Sequence, residues 1–180
     1  MTNKIAFCGP IYSGKTRTAV ELRNQIGGTK LAFGDLVKQE LSYAVGKDSI
    51  ECAQIYKEMQ TPELKYKWRS GLQVWGTDIR RNLFGKNYWV DKLEETIDHN
   101  LNLFPNVCLM VDDCRFQNEY DMLKNKEFVF IKCLPKQGNT ELTALHESEQ
   151  HWQGFSCDII LPWMPIEERV TLLLKELNDL

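Results

Sequence analysis

The sequence predicts an α/β protein with a mostly parallel sheet of about five strands and helices on both faces, a three-layer arrangement. Three observations carry this. Short apolar runs bounded by Gly, Pro or Asp recur along the chain, the pattern of strands buried on both sides. Between them lie longer stretches with apolar residues every three or four positions, the spacing of helices with one buried face. The two kinds of segment alternate, as in β-α-β units.

Residues 4–8 are apolar and stop at Gly9, which gives a first buried strand. Residues 14–26 carry Ala19, Leu22 and Ile26 at helical spacing before Gly27-Gly28 ends the helix. Residues 31–33 form a second strand, and Gly34-Asp35 opens a helical stretch with Leu36 and Leu41. Thr61-Pro62 is a helix start, with Thr as N-cap and Pro at the first helical position. Leu64, Trp68, Leu72, Trp75, Ile79 and Leu83 then predict one long helix with a single buried face. Val90, Leu93, Ile97 and Leu101 repeat the pattern. The apolar run 107–111 ends at Asp112-Asp113 and reads as a central strand, followed by strands at 128–131 and 158–161. Residues 135–154 are polar and carry Pro135, Gly138, Asn139 and Gly154, the composition of a lid-like excursion. Pro165 begins a last helix with Ile166, Val170, Leu173, Leu174 and Leu177 on one face. The whole chain, 1–180, is expected to form one domain, with a helical region at about 35–104.

The net charge of -3 argues against a dedicated nucleic-acid binder, which needs a broad basic surface. No apolar run approaches the roughly 18 residues of a membrane span, and the N-terminus lacks a signal-peptide layout. The six cysteines contain no CxxC pair, and three lie in strand-like apolar runs. They are expected to be reduced, mostly buried thiols of a cytosolic protein. His99, His146 and His151 show no metal spacing, and Ser148 has no partners for a catalytic triad.

The sharpest signal is Gly9-Pro-Ile-Tyr-Ser-Gly-Lys-Thr16, which fits G-x-x-x-x-G-K-[ST] between a strand and a helix. Glycines let the backbone wrap around phosphate oxygens, so that successive N–H groups point inward. The helix that follows adds the positive end of its dipole. Gly9, Tyr12, Ser13, Gly14, Lys15, Thr16 and Arg17 are therefore expected to bind ATP. Lys15 reaches the β- and γ-phosphates in such loops, and the Thr16 hydroxyl binds Mg²⁺.

Asp112 and Asp113 end a strand where open parallel sheets place ligands. Asp113 is the second expected metal ligand, opposite Thr16, and Arg115 suits a fork onto phosphate oxygens. The alternative is that Asp113 caps the next helix while Arg115 and Glu119 pair on its surface. Arg69, Gln73 and Thr77 lie four apart and share a helical stripe. That stripe either grips a phosphate and a base edge or is a plain solvated face. Gly76 lets a neighbour approach closely. Trp89 either stacks on a base or fills the core.

The segments GPIYSGKT (9–16), RSGLQVWGTDIRR (69–81), NYWV (87–90), DCRFQNE (113–119) and HESE (146–149) together resemble a phage-type deoxynucleoside monophosphate (dNMP) kinase. The glycine loop is generic to P-loop proteins, whereas LQxWGTD, YWV and DxRFxNE are specific. The resemblance implies a P-loop kinase fold that moves the γ-phosphoryl group of ATP, with Mg²⁺, to a dNMP. It implies that Arg69, Gln73, Gly76, Thr77 and Trp89 line the acceptor site. Asp113, Arg115 and Glu119 would sit between acceptor and donor, with Lys15, Arg115 and Asp113 catalytic. It implies a cytoplasmic enzyme, in the host cytoplasm if phage-encoded. One departure is that 135–154 holds no arginine, so the lid charge falls to Lys136, Arg169 or Arg115. The partners are small molecules rather than nucleic acid or membrane, and a homodimer rests only on how common dimers are. Two other readings stay open from the residues: a kinase of another small phosphorylated metabolite, and a nucleotide-binding ATPase or switch module.

Overall fold

A computed structural model describes residues 3–136 and 151–180. In chain order the elements are β1 (Lys4–Cys8), α1 (Lys15–Ile26), β2 (Thr29–Leu31), α2 (Phe33–Val45), α3 (Ser49–Gln60), α4 (Pro62–Gln73), a π-helical segment (Val74–Arg81), α5 (Asn82–Phe84), α6 (Tyr88–Leu103), β3 (Leu109–Val111), α7 (Gln117–Asn125), β4 (Val129–Cys133), a 3₁₀ turn (His151–Gly154), β5 (Ile159–Leu161) and α8 (Ile166–Asp179). They form two compact units, Met1–Ala32 with Thr96–Leu180, and Phe33–Glu95. Most of the expected lid-like stretch 135–154, including His146–Glu149, lies outside the described residues.

The first unit is built on five parallel strands in the order β2-β3-β1-β4-β5. β1 is central because four of its five residues are fully apolar and buried. Its ladder sets Ala6 beside Val111 of β3 and Phe130 of β4. One face of the sheet, with Ile5, Phe7, Met110, Ile131, Cys133, Ile159 and Leu161, packs against Ala19 and Leu22 of α1 and Val170, Leu173 and Leu177 of α8. Residues of the opposite pleat, Ala6, Cys8, Leu109, Val111 and Phe130, are also buried, and the Phe130 ring meets Tyr120 of α7 at 4.5 Å. Helices thus cover both faces, the three-layer α/β P-loop kinase fold. Burial on both sides explains why the strands are uninterrupted apolar runs rather than alternating ones.

Two strands shift from their expected places. β2 occupies 29–31 rather than 31–33, because the Thr29 amide already bonds Cys108 O at 2.8 Å. Phe33 instead begins α2. β3 starts at Leu109, whose amide donates to Asn3 O at 2.7 Å, two residues later than the apolar run.

The second unit is helical. α3 was not assigned from sequence, yet its start is well specified: the Asp48 carboxylate accepts from the amides of Ile50 and Glu51 at 2.9 and 2.8 Å. The long helix expected from residue 61 onward is a correction. After Gln73 its bonds widen to the i→i+5 pattern over eight residues, an uncommon geometry that is frequent at functional sites. Each residue then advances less far around the axis than in an α-helix. The apolar periodicity therefore yields no single buried face: Leu72, Trp75 and Ile79 are half-buried, and Leu83 is 76% exposed.

The widened segment is held by one carboxylate. Glu40 of α2 accepts from Tyr88 Oη at 2.7 Å, from Trp75 Nε1 at 3.3 Å and from Arg80 Nε. The Arg80 guanidinium lies 4.7 Å from the Trp75 ring centroid and 4.8 Å from that of Phe84. Burial and the bond to Glu40 push the Tyr88 phenol up from its ordinary value.

Candidate active site

At the carboxyl end of β1 the chain turns through Gly9 at φ +132°, Tyr12 at +62° and Gly14 at +84°. Left-handed residues at close intervals curl a backbone so that its amides converge on one point. Tyr12 is informative because a side chain in that region is uncommon and strained. Its ring is 70% exposed, so core packing does not account for its conformation. Gly14 opens α1, which has no side-chain cap and no acidic residue in its first turn. The first amides of α1 therefore face an uncapped, positive helix end, suited to an anion.

Lys15 is buried and folds back on this loop, donating to Gly9 O at 2.8 Å and Pro10 O at 2.7 Å, and lies 3.5 Å from Ser13 Oγ. The neighbouring hydroxyls differ in use. Thr18 Oγ1 donates to Gly14 O at 3.0 Å, inside the helix. Thr16 and Arg17 are exposed, and Thr16 Oγ1 makes no hydrogen bond among the described residues.

Asp112 and Asp113 follow β3, next to β1 in the sheet. The chain leaves β1 toward β2 on one side and leaves β4 toward β5 on the other, so the carboxyl end of β1 adjoins a topological switch point. Asp112 is 2% exposed and its carboxylate lies 3.2 Å from Lys30 Nζ. Asp113 and Arg115 are half-buried. Glu119, 3% exposed, turns back from the first turn of α7 and accepts from the amides of Arg115 at 2.8 Å and Phe116 at 3.0 Å. It fixes the 113–116 turn from behind, which corrects its expected place between acceptor and donor. Glu119→Gln weakens two charge-assisted bonds and should cost about 1–2 kcal/mol, a fall in Tm of several degrees. The looser turn should also lower turnover about tenfold. Calorimetry and steady-state rates on one preparation check both.

Three of the thiols around this end of the sheet are pushed toward the protonated form. The hydrogen bond with Cys157, at 3.3 Å, pushes Cys8 strongly up, and burial raises Cys114 and Cys133. Cys157 alone is lowered, chiefly by that same bond.

The residues expected to bind an acceptor all lie in the second unit. Arg69 and Gln73 are exposed on the last turns of α4. Thr77 follows in the widened segment and is half-buried, so the even stripe of three is broken there. Gly76 is buried: a Cβ would lie 3.2 Å from Val37 Cγ1, and its carbonyl accepts from Trp89 Nε1 at 2.8 Å. The close neighbour of Gly76 is therefore Val37, with the Trp89 indole on its carbonyl. Trp89 is 2% exposed and serves as a core residue rather than as a stacking face.

Of the three expected sources of lid charge, one is placed otherwise: Arg169 is buried in the first turns of α8. Lys136 is exposed, with its ammonium 5.0 Å from the Trp163 ring centroid. Sequence reasoning missed Lys30 and Glu40; nothing in their local sequence separates them from surface charges.

A parallel sheet with an uncapped, glycine-turned helix start and a carboxylate-arginine turn after the neighbouring strand is the arrangement of a P-loop kinase fold. The family model of deoxynucleotide monophosphate kinase matches residues 16–162, and the chain belongs to that family. A protein of Acanthamoeba polyphaga mimivirus, whose name gives the same activity provisionally, is 28% identical over 141 residues, covering 71% of this chain and 72% of its own. The family match begins at Thr16, so Gly9 to Lys15 rest on their own geometry. No described helix is long and apolar enough to cross a membrane.

Proposed function

We propose that this kinase transfers the γ-phosphoryl group of ATP to a deoxynucleoside monophosphate, giving ADP and a deoxynucleoside diphosphate. The observation that carries the donor half is the loop of residues 9–16: left-handed turns at Gly9, Tyr12 and Gly14 lead into an uncapped helix, with a buried lysine on the loop. The family supports a deoxynucleotide acceptor.

Phosphoryl transfer asks for positioning and charge neutralisation more than for covalent chemistry. Amides of the loop hold the phosphates. The Lys15 ammonium exchanges its bonds to Gly9 O and Pro10 O for phosphate oxygens. Arg115, its amide fixed by Glu119, offers a planar fork to the phosphoryl oxygens. The acceptor phosphate, largely dianionic near pH 7 because its second pKa is about 6, attacks without a strong general base. Arg69 binds it and Gln73 reads the base edge. The free Thr16 hydroxyl and the Asp113 carboxylate are hard oxygen donors that suit Mg²⁺; when bound, the ion neutralises charge on the β- and γ-phosphates.

A coupled ADP assay over dAMP, dGMP, dCMP, dTMP and their ribose forms tests this. ADP formation that depends on a deoxynucleotide is expected; equal rates without any acceptor would point to an ATPase module instead. Gln73→Ala should change the relative kcat/KM among the four bases by about tenfold, the worth of one hydrogen bond. The KM for ATP should stay in place. Unaltered base preference rejects the role of Gln73.

A further inference from the structure

Arg169 is 2% exposed. Its guanidinium donates through Nη1 to Ser13 O at 2.6 Å, through Nη2 to Leu134 O at 2.9 Å and Pro162 O at 2.8 Å, and through Nε to Pro162 O at 3.0 Å. It therefore ties the 9–16 loop to the ends of β4 and β5. Among the described residues it has no carboxylate partner. A buried cation whose partners among the described residues are all carbonyl dipoles is expensive, and an apolar side chain of similar size often stabilises a fold more. Stability alone therefore accounts poorly for a charge at this position.

The bond to Ser13 offers a reason. A trans peptide is planar, with its C=O and N–H pointing opposite ways. Fixing the Ser13 carbonyl on Arg169 fixes the Gly14 N–H on the other side of that plane, away from the guanidinium. A hydrogen bond at the oxygen also polarises the peptide and strengthens its N–H as a donor. The guanidinium sits close enough that a Cβ on Gly14 would lie 2.9 Å from Nη1, so the two groups are fitted to each other.

We propose that Arg169 is a positioning residue for the donor: it orients the Ser13–Gly14 peptide so that the Gly14 amide meets a phosphate of ATP. This rests on the reading of the 9–16 loop as the ATP site. Arg169 acts from behind the loop and touches no substrate. It therefore fills none of the roles expected of a lid arginine. Burial lowers its pKa from the ordinary arginine value, which fits a site whose compensating anion arrives with the ligand.

The test is binding of ATP alone, by titration calorimetry, to wild type, Arg169→Met and Arg169→Lys, with melting curves of each with and without ATP. Arg169→Met should raise the Kd for ATP by about tenfold or more, shrink the ATP-induced rise in Tm and leave the KM for the monophosphate acceptor within about threefold. Arg169→Lys should recover part of the affinity, since an ammonium replaces some of the four bonds. A folded Arg169→Met with wild-type affinity overturns the proposal, even if its Tm has fallen, because that is the signature of a purely structural brace. Should Arg169→Met fail to fold, Arg169→Lys decides: affinity equal to wild type overturns the proposal, and a loss confined to ATP supports it. Wild type that binds no ATP fails the reading of the loop itself, whatever the variants do.

Discussion

Lys15→Met is expected to lower turnover by at least about 10³-fold, roughly 4 kcal/mol of transition-state stabilisation. Lys15 is held 2.7–2.8 Å from the carbonyls of Gly9 and Pro10, at the loop itself. Its ammonium has only to exchange those carbonyls for phosphate oxygens, and removing a donor of that kind from the transition state is costly. Methionine is the informative replacement because it keeps the length and apolar stem of lysine. Both carbonyls belong to buried residues, so loss of their donor should also cost about 1–3 kcal/mol. A drop of a few degrees in Tm is then expected alongside the kinetic loss. Rates must be taken well below the variant's Tm, with the folded fraction verified by circular dichroism. Turnover within tenfold of wild type in folded Lys15→Met would remove the lysine from the mechanism.

The turns of the 9–16 loop were legible in the sequence and the geometry of residues 69–89 only partly so, for a physical reason. The loop is local: Gly9 to Thr16 are consecutive, and their spacing is dictated by backbone geometry alone. The same holds for Asp113 to Glu119, where one turn carries the whole arrangement. Glu119 was nonetheless assigned to the substrate, because a carboxylate that caps its own turn and one that faces a ligand have the same sequence. In the second unit the periodicity of 64–83 promised an ordinary helix. Its widening depends on Glu40 gathering Trp75, Arg80 and Tyr88 from up to 48 positions away, and such a pairing leaves no local trace. Arg169 was named from the sequence only as a source of lid charge; its partners Ser13, Leu134 and Pro162 meet only in the folded sheet. The order of the strands likewise follows from packing, whereas their parallel sense could be read from apolar runs separated by helices.

Gly9→Ala should be a strongly destabilising single-methyl change. Gly9 sits at φ +132°, where a side chain costs about 1–3 kcal/mol whatever surrounds it. The added Cβ would also fall inside the van der Waals shell of Cys133 O, with Ser13 Oγ only 3.3 Å away. The Cys133 carbonyl cannot retreat cheaply. Cys133 ends β4, in register with Leu161 of β5, while the adjacent Lys132 is in register with Cys8 of β1. Relief would require β1 to part from β4 at the point where the loop begins. A combined cost of about 3–5 kcal/mol is a large share of a typical 5–15 kcal/mol stability. At about 2–4 °C per kcal/mol for a chain of this size it predicts a fall in Tm of at least about 6 °C. Gly85 supplies the control. It has φ +115° but no atom within 4 Å of a Cβ, so Gly85→Ala carries the backbone strain without the collision. The difference between the two melting temperatures isolates the close approach of β1 to β4. If Gly9→Ala melts within a degree or two of Gly85→Ala, the strand ends have room to spare. The tight seat that this argument gives the loop would then have to be abandoned.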